Sequence, residues 1–185
     1  MKVIATNIGQ PTTINWKGKK VTTGIFKYPT IEPIVLEKED VLGDAVIDRK
    51  YHGGIDQACY LFSADKYDYW KALYPELDWN WGMFGENITI EGFDETKIHI
   101  GDILKIGEVT VQITKPREPC FKLGIRFNNQ KVLKDFIKLA LSGAYVKILT
   151  EGKVSKNDEV IIIERNTQNL TVQNSFKKIY EGKSI

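Results

Sequence analysis

Short segments in which apolar and polar residues alternate make up most of the chain, and glycine and aspartate residues separate them. Residues 103–106 and 109–114 flank Gly107-Glu108, which predicts a β-hairpin because alternation places every second side chain on one face of a sheet. Further strands are predicted at residues 3–8, 21–26, 34–36, 45–47, 57–62, 87–90, 145–149 and 159–163. Many short strands separated by turns favour a mainly β fold, either a barrel or a sandwich.

Two segments show helical spacing of apolar residues instead. The first begins near Ser63, a favourable N-cap residue, and ends at Pro75. The second covers residues 129–141, with Gly143 as its stop signal. We expect the apolar stripes of both helices to face the core and not a cofactor.

The chain length of 185 residues fits one domain that is large enough to bury its own core. We assign residues 1–165 to this domain, because the composition becomes polar after Arg165. Residues 166–185 form a C-terminal extension, for which a short amphipathic helix and a frayed tail are both open.

Charge and hydropathy give little support for a nucleic-acid or membrane partner. The net charge is +2 with scattered basic residues, and the lysines of residues 17–20 are interpreted as a solvated turn. No apolar run approaches the ~20 residues that a membrane span needs, and the N-terminus does not resemble a signal peptide. Two cysteines make no disulfide framework, so we expect a cytoplasmic protein, either a monomer or a homodimer.

Cys120 is the strongest candidate for chemistry. It lies in a stiff loop after a predicted strand, because Pro116 and Pro119 restrict the backbone beside it. The nearest cations, which would favour the reactive thiolate, are Lys115, Arg117 and Lys122. From these residues alone, a reactive thiol and an idle loop cysteine are equally open. The second cysteine, Cys59, lies in an apolar strand-like run and is predicted to be a buried packing residue.

His52 belongs to a polar and glycine-rich segment, residues 48–58. Its imidazole would donate a hydrogen bond to an anion, ligate a metal or transfer a proton. The other histidine, His99, lies in an alternating strand-like run, so a two-histidine zinc site has little support. Taken alone, the segment is interpreted equally as a structural turn or as part of an active site.

Asn87 lies in a third polar segment, residues 81–88, just before a predicted strand. Its side chain would bond its own backbone, as loop asparagines do, or would bond a polar ligand. The chain has neither a Walker loop nor a dinucleotide-binding glycine fingerprint. His52 is the one candidate base for a Cys/His pair with Cys120.

Taken in order, these segments resemble the MOSC domain, the family named for the C-terminal domain of molybdenum-cofactor sulfurases. The resemblance covers about residues 1–165 and points to the stand-alone bacterial branch. The runs that carry it are Thr-Gly-Ile-Phe-Lys at 23–27, Gly-Asp at 43–44, His-Gly-Gly-Ile-Asp-Gln-Ala at 52–58, Phe-Gly-Glu-Asn at 84–87, Gly-Asp at 101–102, Pro-Arg-Glu-Pro-Cys-Phe-Lys-Leu at 116–123, Gly-Ala-Tyr-Val-Lys-Ile-Leu at 143–149 and Gly-Lys-Val at 152–154.

The resemblance implies a β-barrel with a few flanking α-helices and a site for the molybdenum cofactor, a molybdopterin. Cys120 would be the protein ligand to molybdenum and would belong to the catalytic site together with His52. The residues that would contact the phosphate and pterin are Lys27, Thr114 and Arg117. Asn87 and His52 would hydrogen-bond the pterin or line the substrate pocket.

The branch is associated with detoxifying N-hydroxylated base analogues, which implies a reductase of small N-hydroxylated molecules. Two cysteines cannot hold a four-cysteine iron–sulfur cluster, so electrons would come from a separate reductase. An alternative is a sulfur carrier that holds a persulfide on Cys120 for cofactor or metal–sulfur cluster biosynthesis. A third is a degenerate barrel that binds a small anion and catalyses nothing.

Overall fold

The computed structural model describes residues 1–47 and 53–183, which form twelve β-strands and four α-helices. The strands are β1 Lys2–Gly9, β2 Thr12–Trp16, β3 Lys19–Thr23, β4 Lys27–Pro29, β5 Ile34–Leu36, β6 Cys59–Ser63, β7 Ile88–Glu91, β8 Ile103–Ile106, β9 Val109–Pro116, β10 Ala144–Thr150, β11 Gly152–Val154 and β12 Val160–Glu164. The helices are α1 Tyr67–Leu73, α2 Phe121–Arg126, α3 Lys131–Leu139 and α4 Val172–Tyr180. The mainly β fold class is therefore confirmed.

Eight strands form one mixed sheet in the order β12-β8-β9-β10-β6-β7-β1-β4. The β6–β7 pair is parallel, and the other neighbours in this sheet are antiparallel. Two separate two-stranded sheets pair β5 with β11 and β2 with β3. The β8–β9 hairpin pairs Ile106 with Val109, as alternation in the sequence predicts.

The expected barrel does not close among the residues that the structure describes. The edge of β1 opposite β7 is divided, because residues 7–9 pair with β4 and leave only the beginning of the strand for β12. There a single bridge joins Lys2 and Glu159, and the Val160 N–H donates to the Met1 carbonyl at 2.9 Å. The segment that leads into β12 is thus hydrogen-bonded to the beginning of β1 at a few positions, without a continuous ladder between the two strands.

Two apolar clusters cover the two faces of the sheet. One contains Val3, Ile90 and Leu104 with many aliphatic neighbours, and the other is aromatic and lies under the helices. Strand β6 serves both, because Cys59 and Leu61 belong to the first cluster, while Tyr60 and Phe62 belong to the second. A strand that is buried on both faces has a continuous apolar sequence, which accounts for the run at residues 58–62.

The predicted element boundaries differ from the structure in several places. Residues 45–47 form an irregular segment, not a strand. Ser63 precedes a 3₁₀ turn at Ala64–Lys66, but its side chain caps nothing and its buried Oγ has no hydrogen-bond partner among the described residues. Helix α3 ends earlier than predicted, because Ala140 adopts the left-handed conformation at φ 52° and so stops the helix before Gly143.

The C-terminal extension contains helix α4 and is packed on the domain. Thr171 caps the helix by accepting a hydrogen bond from the Asn174 N–H at 3.1 Å. Val172 and Phe176 are buried, one in each apolar cluster. Of the two alternatives for this extension, the structure has the amphipathic helix. None of the helices that the structure describes is long and apolar enough to cross a membrane.

Candidate functional site

A pocket opens where six separate segments of the chain meet. Its volume is about 650 Å³ when the open mouth is included. The lining residues come from segments 23–27, 44–47, 53–60, 85–87 and 117–122, together with Tyr145. Four of the residues predicted from the sequence line it: Lys27, Asn87, Arg117 and Cys120. Residues far apart in the chain are thus brought together at one site.

Cys120 lies at the junction between the end of the large sheet and helix α2. Strand β9 ends at Pro116, and Cys120 has extended backbone as the N-cap residue of α2. Its carbonyl accepts a hydrogen bond from the Leu123 N–H at 2.9 Å, which fixes the first turn of the helix. The residue is partly exposed and forms no disulfide with Cys59. Its sulfur therefore has access to a pocket ligand.

Arg117 is the most deeply buried cation of the pocket, with 4% of its surface exposed. Its guanidinium lies 5.3 Å from the centre of the Tyr60 ring and 5.8 Å from that of Phe136, and it is hydrogen-bonded to Tyr145. Burial disfavours its charge, but the Tyr60, Tyr145 and Cys120 side chains together outweigh this effect and raise the pKa of Arg117. Its Nη1 has no hydrogen-bond partner among the described residues, as expected of a group that awaits a ligand.

Lys27 and Asn87 are joined by a carboxylate that the sequence did not identify. Asp44 forms an ion pair with the Lys27 ammonium, and its Oδ2 accepts a hydrogen bond from Asn87 Nδ2 at 2.9 Å. Its Oδ1 accepts the Gly9 N–H at 2.8 Å. In the sequence, Gly43-Asp44 indicates a turn and belongs to the runs that carry the family resemblance, but neither gives Asp44 a role in the site. Three partners on other segments give Asp44 its place in the site, and these contacts have no local sequence signal.

The Asn87 side chain is almost fully engaged with the protein. Its Oδ1 accepts the Tyr60 N–H at 3.2 Å, and its Nδ2 also lies 3.4 Å from the Asn7 carbonyl. These bonds tie β7 to β6 and β1 at the pocket wall. The sequence left open a bond of Asn87 to its own backbone, but its side chain bonds three other segments instead, and Asn87 also lines the pocket.

Thr114 does not line the pocket. Its hydroxyl lies 2.7 Å from the Asp56 carbonyl and 2.9 Å from the Tyr145 carbonyl, and its one proton is shared between them. It therefore joins β9 to the 3₁₀ turn Ile55–Gln57 and to β10. The predicted contact of Thr114 with a cofactor stays a prediction. His52 lies outside the residues that the structure describes, so its predicted role is also still a prediction.

Glu86 is a fully buried carboxylate behind the pocket wall. It accepts hydrogen bonds from the Tyr67 hydroxyl, from the Gly82 N–H at 2.9 Å, from the Phe84 N–H at 3.1 Å and from the Thr89 hydroxyl at 2.8 Å. Burial raises the pKa of Glu86, although these donors act against the rise. The network holds the loop before Asn87, so Glu86 supports the site although it does not line the pocket.

Two glycines allow the pocket walls to approach each other closely. A Cβ at Gly24 would lie 1.8 Å from the Ala45 carbonyl oxygen, so a side chain has no room there. Gly85 has φ +80°, which favours glycine, and a Cβ there would lie 2.6 Å from Ile25 Cδ1. These contacts account for glycine at 24 and 85.

Arg126 anchors the far end of helix α2. Its guanidinium lies 5.2 Å from the centre of the Phe26 ring and 4.8 Å from that of Tyr28, and its Nη1 donates to the Tyr28 hydroxyl at 3.0 Å. Phe26 and Tyr28 are the neighbours of Lys27. The helix that begins after Cys120 is therefore fixed to the segment that carries Lys27.

The described part of the chain contains no cluster of three or more histidine, cysteine or acidic residues that would hold a metal ion. His99 faces Asp102, with Nδ1 and Oδ2 3.8 Å apart, and lies away from the pocket. One accessible sulfur near a buried, partly unpaired arginine fits a soft metal carried by an anionic organic group.

Comparison with known proteins assigns the family. The family model for the MOSC domain matches residues 48–161. The chain belongs to the MOSC family. This MOSC protein is 33% identical to YflK of Bacillus subtilis over 171 residues, which cover 92% of this chain and 77% of YflK. The chain is also 29% identical to YiiM of Escherichia coli over 153 residues, which cover 82% of this chain and 68% of YiiM.

Two further matches describe the fold and the wider family. The crystal structure of YiiM from Geobacillus stearothermophilus has a TM-score of 0.79 at 28% identity, covering 98% of this chain and 84% of that chain. A protein of Gibberella moniliformis named "Reductase" is 33% identical over 151 residues, which cover 80% of this MOSC chain. The chain spans only 27% of that fungal protein's length.

Proposed function

We propose that this MOSC protein binds the molybdenum cofactor in the pocket around Cys120 and reduces N-hydroxylated small molecules. The observation that carries the proposal is the buried Arg117, whose Nη1 has no partner in the described structure and which shares the pocket with the Cys120 thiol. Buried donors are normally satisfied, so an unpaired guanidinium nitrogen in a pocket supports an anionic ligand. The MOSC family is associated with this cofactor.

The residues of the chain would divide the work of binding and orientation. Cys120 would supply a soft sulfur ligand, and Arg117 would bond the anionic part of the cofactor. Lys27 and Asn87, held by Asp44, would form the opposite wall. When bound, the cofactor supplies the redox chemistry, and the protein supplies placement and electrostatics.

The overall reaction converts an N-hydroxylated compound to the amine and water, with two electrons and two protons consumed. The N–O bond breaks, the hydroxyl oxygen takes up one proton and leaves as water, and the nitrogen takes up the other proton to give the amine. Tyr145 lines the pocket and is a candidate proton donor. Burial raises the pKa of Tyr145, so its hydroxyl keeps its proton at neutral pH. The electrons would come from a separate reductase. The fungal relative named "Reductase" supports an electron donor outside this domain, because the matching region spans only 27% of that protein's length.

Metal analysis of purified protein tests the proposal. Wild type and Cys120→Ser are produced in molybdenum-replete cells, with Cys59→Ala as the matched cysteine control. We expect about one molybdenum per chain in wild type and in Cys59→Ala, and none in Cys120→Ser. Wild type without molybdenum would contradict the proposal. If that protein instead carried sulfur released by cyanide from Cys120, the sulfur-carrier function would take its place.

Turnover tests the reaction itself. Loaded wild type is given a chemical reductant and an N-hydroxylated purine, and the amine product is measured. We expect turnover in wild type and in Cys59→Ala, and loss of turnover in Cys120→Ser. Equal rates in Cys120→Ser and wild type would exclude the proposed role of the sulfur.

A further inference from the structure

The Asp44 carboxylate is the group that connects most of the pocket wall. Only 3% of its side chain is exposed, although it lines the pocket. It accepts a hydrogen bond from the Gly9 N–H on β1, another from Asn87 beside β7, and forms the ion pair with Lys27 at the start of β4. A carboxylate with three protein donors is already well satisfied without a ligand.

The ion pair changes what Lys27 can do for an anion. The Lys27 side chain is 9% exposed, and its ammonium contacts the Asp44 oxygen directly. Opposite charges in contact largely cancel at the distance of a ligand in the same pocket, because each attracts or repels it by a similar Coulomb energy. Lys27 therefore adds little net attraction for an anion, even though its ammonium has further protons to donate.

Arg117 differs from Lys27 in this respect. Its neighbours are the Tyr60 and Phe136 rings and the Tyr145 hydroxyl, and its Nη1 lacks a partner among the described residues. An anion that reaches Arg117 is attracted by the guanidinium charge and can accept a hydrogen bond from Nη1. A small anion placed beside Lys27 meets the Asp44 charge as well.

We propose that Asp44 is a specificity-determining residue that keeps small inorganic anions out of the pocket by pairing with Lys27. Only a larger ligand, whose anionic part reaches Arg117 while other atoms bond the opposite wall, would bind tightly. The inference rests on the proposed function in one respect, since it takes the intended ligand to carry an anionic group. It adds the role of Asp44, which the family resemblance did not supply.

The experiment measures inorganic phosphate binding to cofactor-free protein by NMR titration at fixed ionic strength. The four proteins are wild type, Asp44→Asn, Lys27→Met and the double variant Asp44→Asn/Lys27→Met. They differ only at the pair, so every other charge of the chain is common to all. Asp44→Asn removes one negative charge from the pocket, Lys27→Met removes one positive charge, and the double variant restores the wild-type net charge.

We expect Asp44→Asn to bind phosphate roughly tenfold more tightly than wild type, and Lys27→Met to bind roughly tenfold more weakly. The double variant should lie within about threefold of wild type. A residue that served only to hold the fold would give the opposite sign, because its loss would weaken binding. Weaker binding by Asp44→Asn, or four equal affinities, including no measurable binding by any protein, overturns the proposal.

Thermal unfolding of the four proteins checks that each is folded. If Asp44→Asn alone fails to fold, the comparison of Lys27→Met with the double variant still decides, since adding Asp44→Asn to Lys27→Met should strengthen phosphate binding about tenfold. No tightening in that pair overturns the proposal. Phosphate binding requires no molybdenum, so a protein without metal would refute the proposed function and leave the role of Asp44 to this test.

Discussion

The Tyr60 ring lies under the Arg117 guanidinium, at 5.3 Å from ring centre to guanidinium carbon. The Tyr60 hydroxyl donates its hydrogen bond elsewhere, to the Ser142 carbonyl at 2.6 Å. The two ends of this side chain thus have separate tasks. The ring supports a cation in the pocket, and the hydroxyl secures the backbone before β10.

Two substitutions of Tyr60 should separate these tasks. Tyr60→Phe keeps the ring and leaves the buried Ser142 carbonyl without its donor, so we expect a loss of about 1–2 kcal/mol in the free energy of unfolding and unchanged molybdenum content. Tyr60→Leu also removes the cation–π contact, worth roughly 1–2 kcal/mol at a desolvated site. Its molybdenum content should fall. Denaturant titration and metal analysis give the two readouts, and equal metal contents in both variants would contradict this division.

Glu95 should make the stability of the protein fall as pH rises. Desolvation by burial raises the pKa of Glu95 to about 8, while Lys66 lowers it and Asp94 raises it. One carboxylate oxygen accepts the Gly143 N–H at 2.8 Å, and the other has no partner among the described residues. The folded state therefore keeps this proton where the unfolded chain loses it, between its ordinary pKa and about 8.

The stability that protonated Glu95 provides is thus complete at acid pH and is lost as pH rises to about 8. Its contribution is at most roughly 1.4 kcal/mol per pH unit. Glu95→Gln keeps the acceptor for Gly143 and does not titrate, so its unfolding free energy should decline less between about pH 5 and about pH 8.5. Chemical denaturation of both proteins across this interval measures the difference. Parallel curves would show that Glu95 does not titrate there.

The two cysteines should react very differently with a thiol reagent. Cys59 is 1% exposed, and burial raises its pKa far above the ordinary value, whereas Cys120 is partly exposed in the pocket. In native protein without cofactor, we expect one thiol per chain to react quickly. Cys120→Ser should lose that reaction and Cys59→Ala should keep it. Rapid modification of Cys120→Ser in its folded state would refute the buried position of Cys59.

Tyr67 should be important for stability through Glu86. Its hydroxyl donates to the buried carboxylate and accepts the Met83 N–H at 3.2 Å. Tyr67→Phe removes both bonds without changing the ring, so we expect a loss of about 2–3 kcal/mol in the free energy of unfolding. Tyr69→Phe, on the exposed side of the same helix, is the matched control and should cost less than ~0.5 kcal/mol. Similar effects of the two substitutions would argue against the network.

Periodicity in the sequence predicts the elements whose pattern is long enough to repeat. Strand β9, with eight residues, alternates along most of its length, and α3, with nine, completes two turns of its apolar spacing. Helix α2 has only six residues, which is less than two turns, so its pattern carries no comparable signal. The continuous apolar run of β6 indicates a buried strand without revealing its neighbours.

The site is predictable in part, because each motif is local and its partners are not. The runs around Lys27, Asn87 and Cys120 indicate the pocket, and the structure brings them together. The bond from Gly9 to Asp44 joins residues 35 positions apart, and nothing near Asp44 in the sequence shows it. Thr114 is next to the predicted site in sequence, but its hydroxyl turns to backbone carbonyls.

Arg126 anchors α2 at the end opposite Cys120. The position of the Cys120 sulfur therefore depends on contacts at the far end of this short helix. A helix of six residues is about 9 Å long. If the helix tilts about its Arg126 end, its other end moves, and Cys120 moves with it. The rings of Phe26 and Tyr28 hold the Arg126 end of the helix in place. Substitutions of Phe26 or Tyr28 would therefore shift the position of the Cys120 sulfur, which allows the site to be engineered without changing the residues around the sulfur.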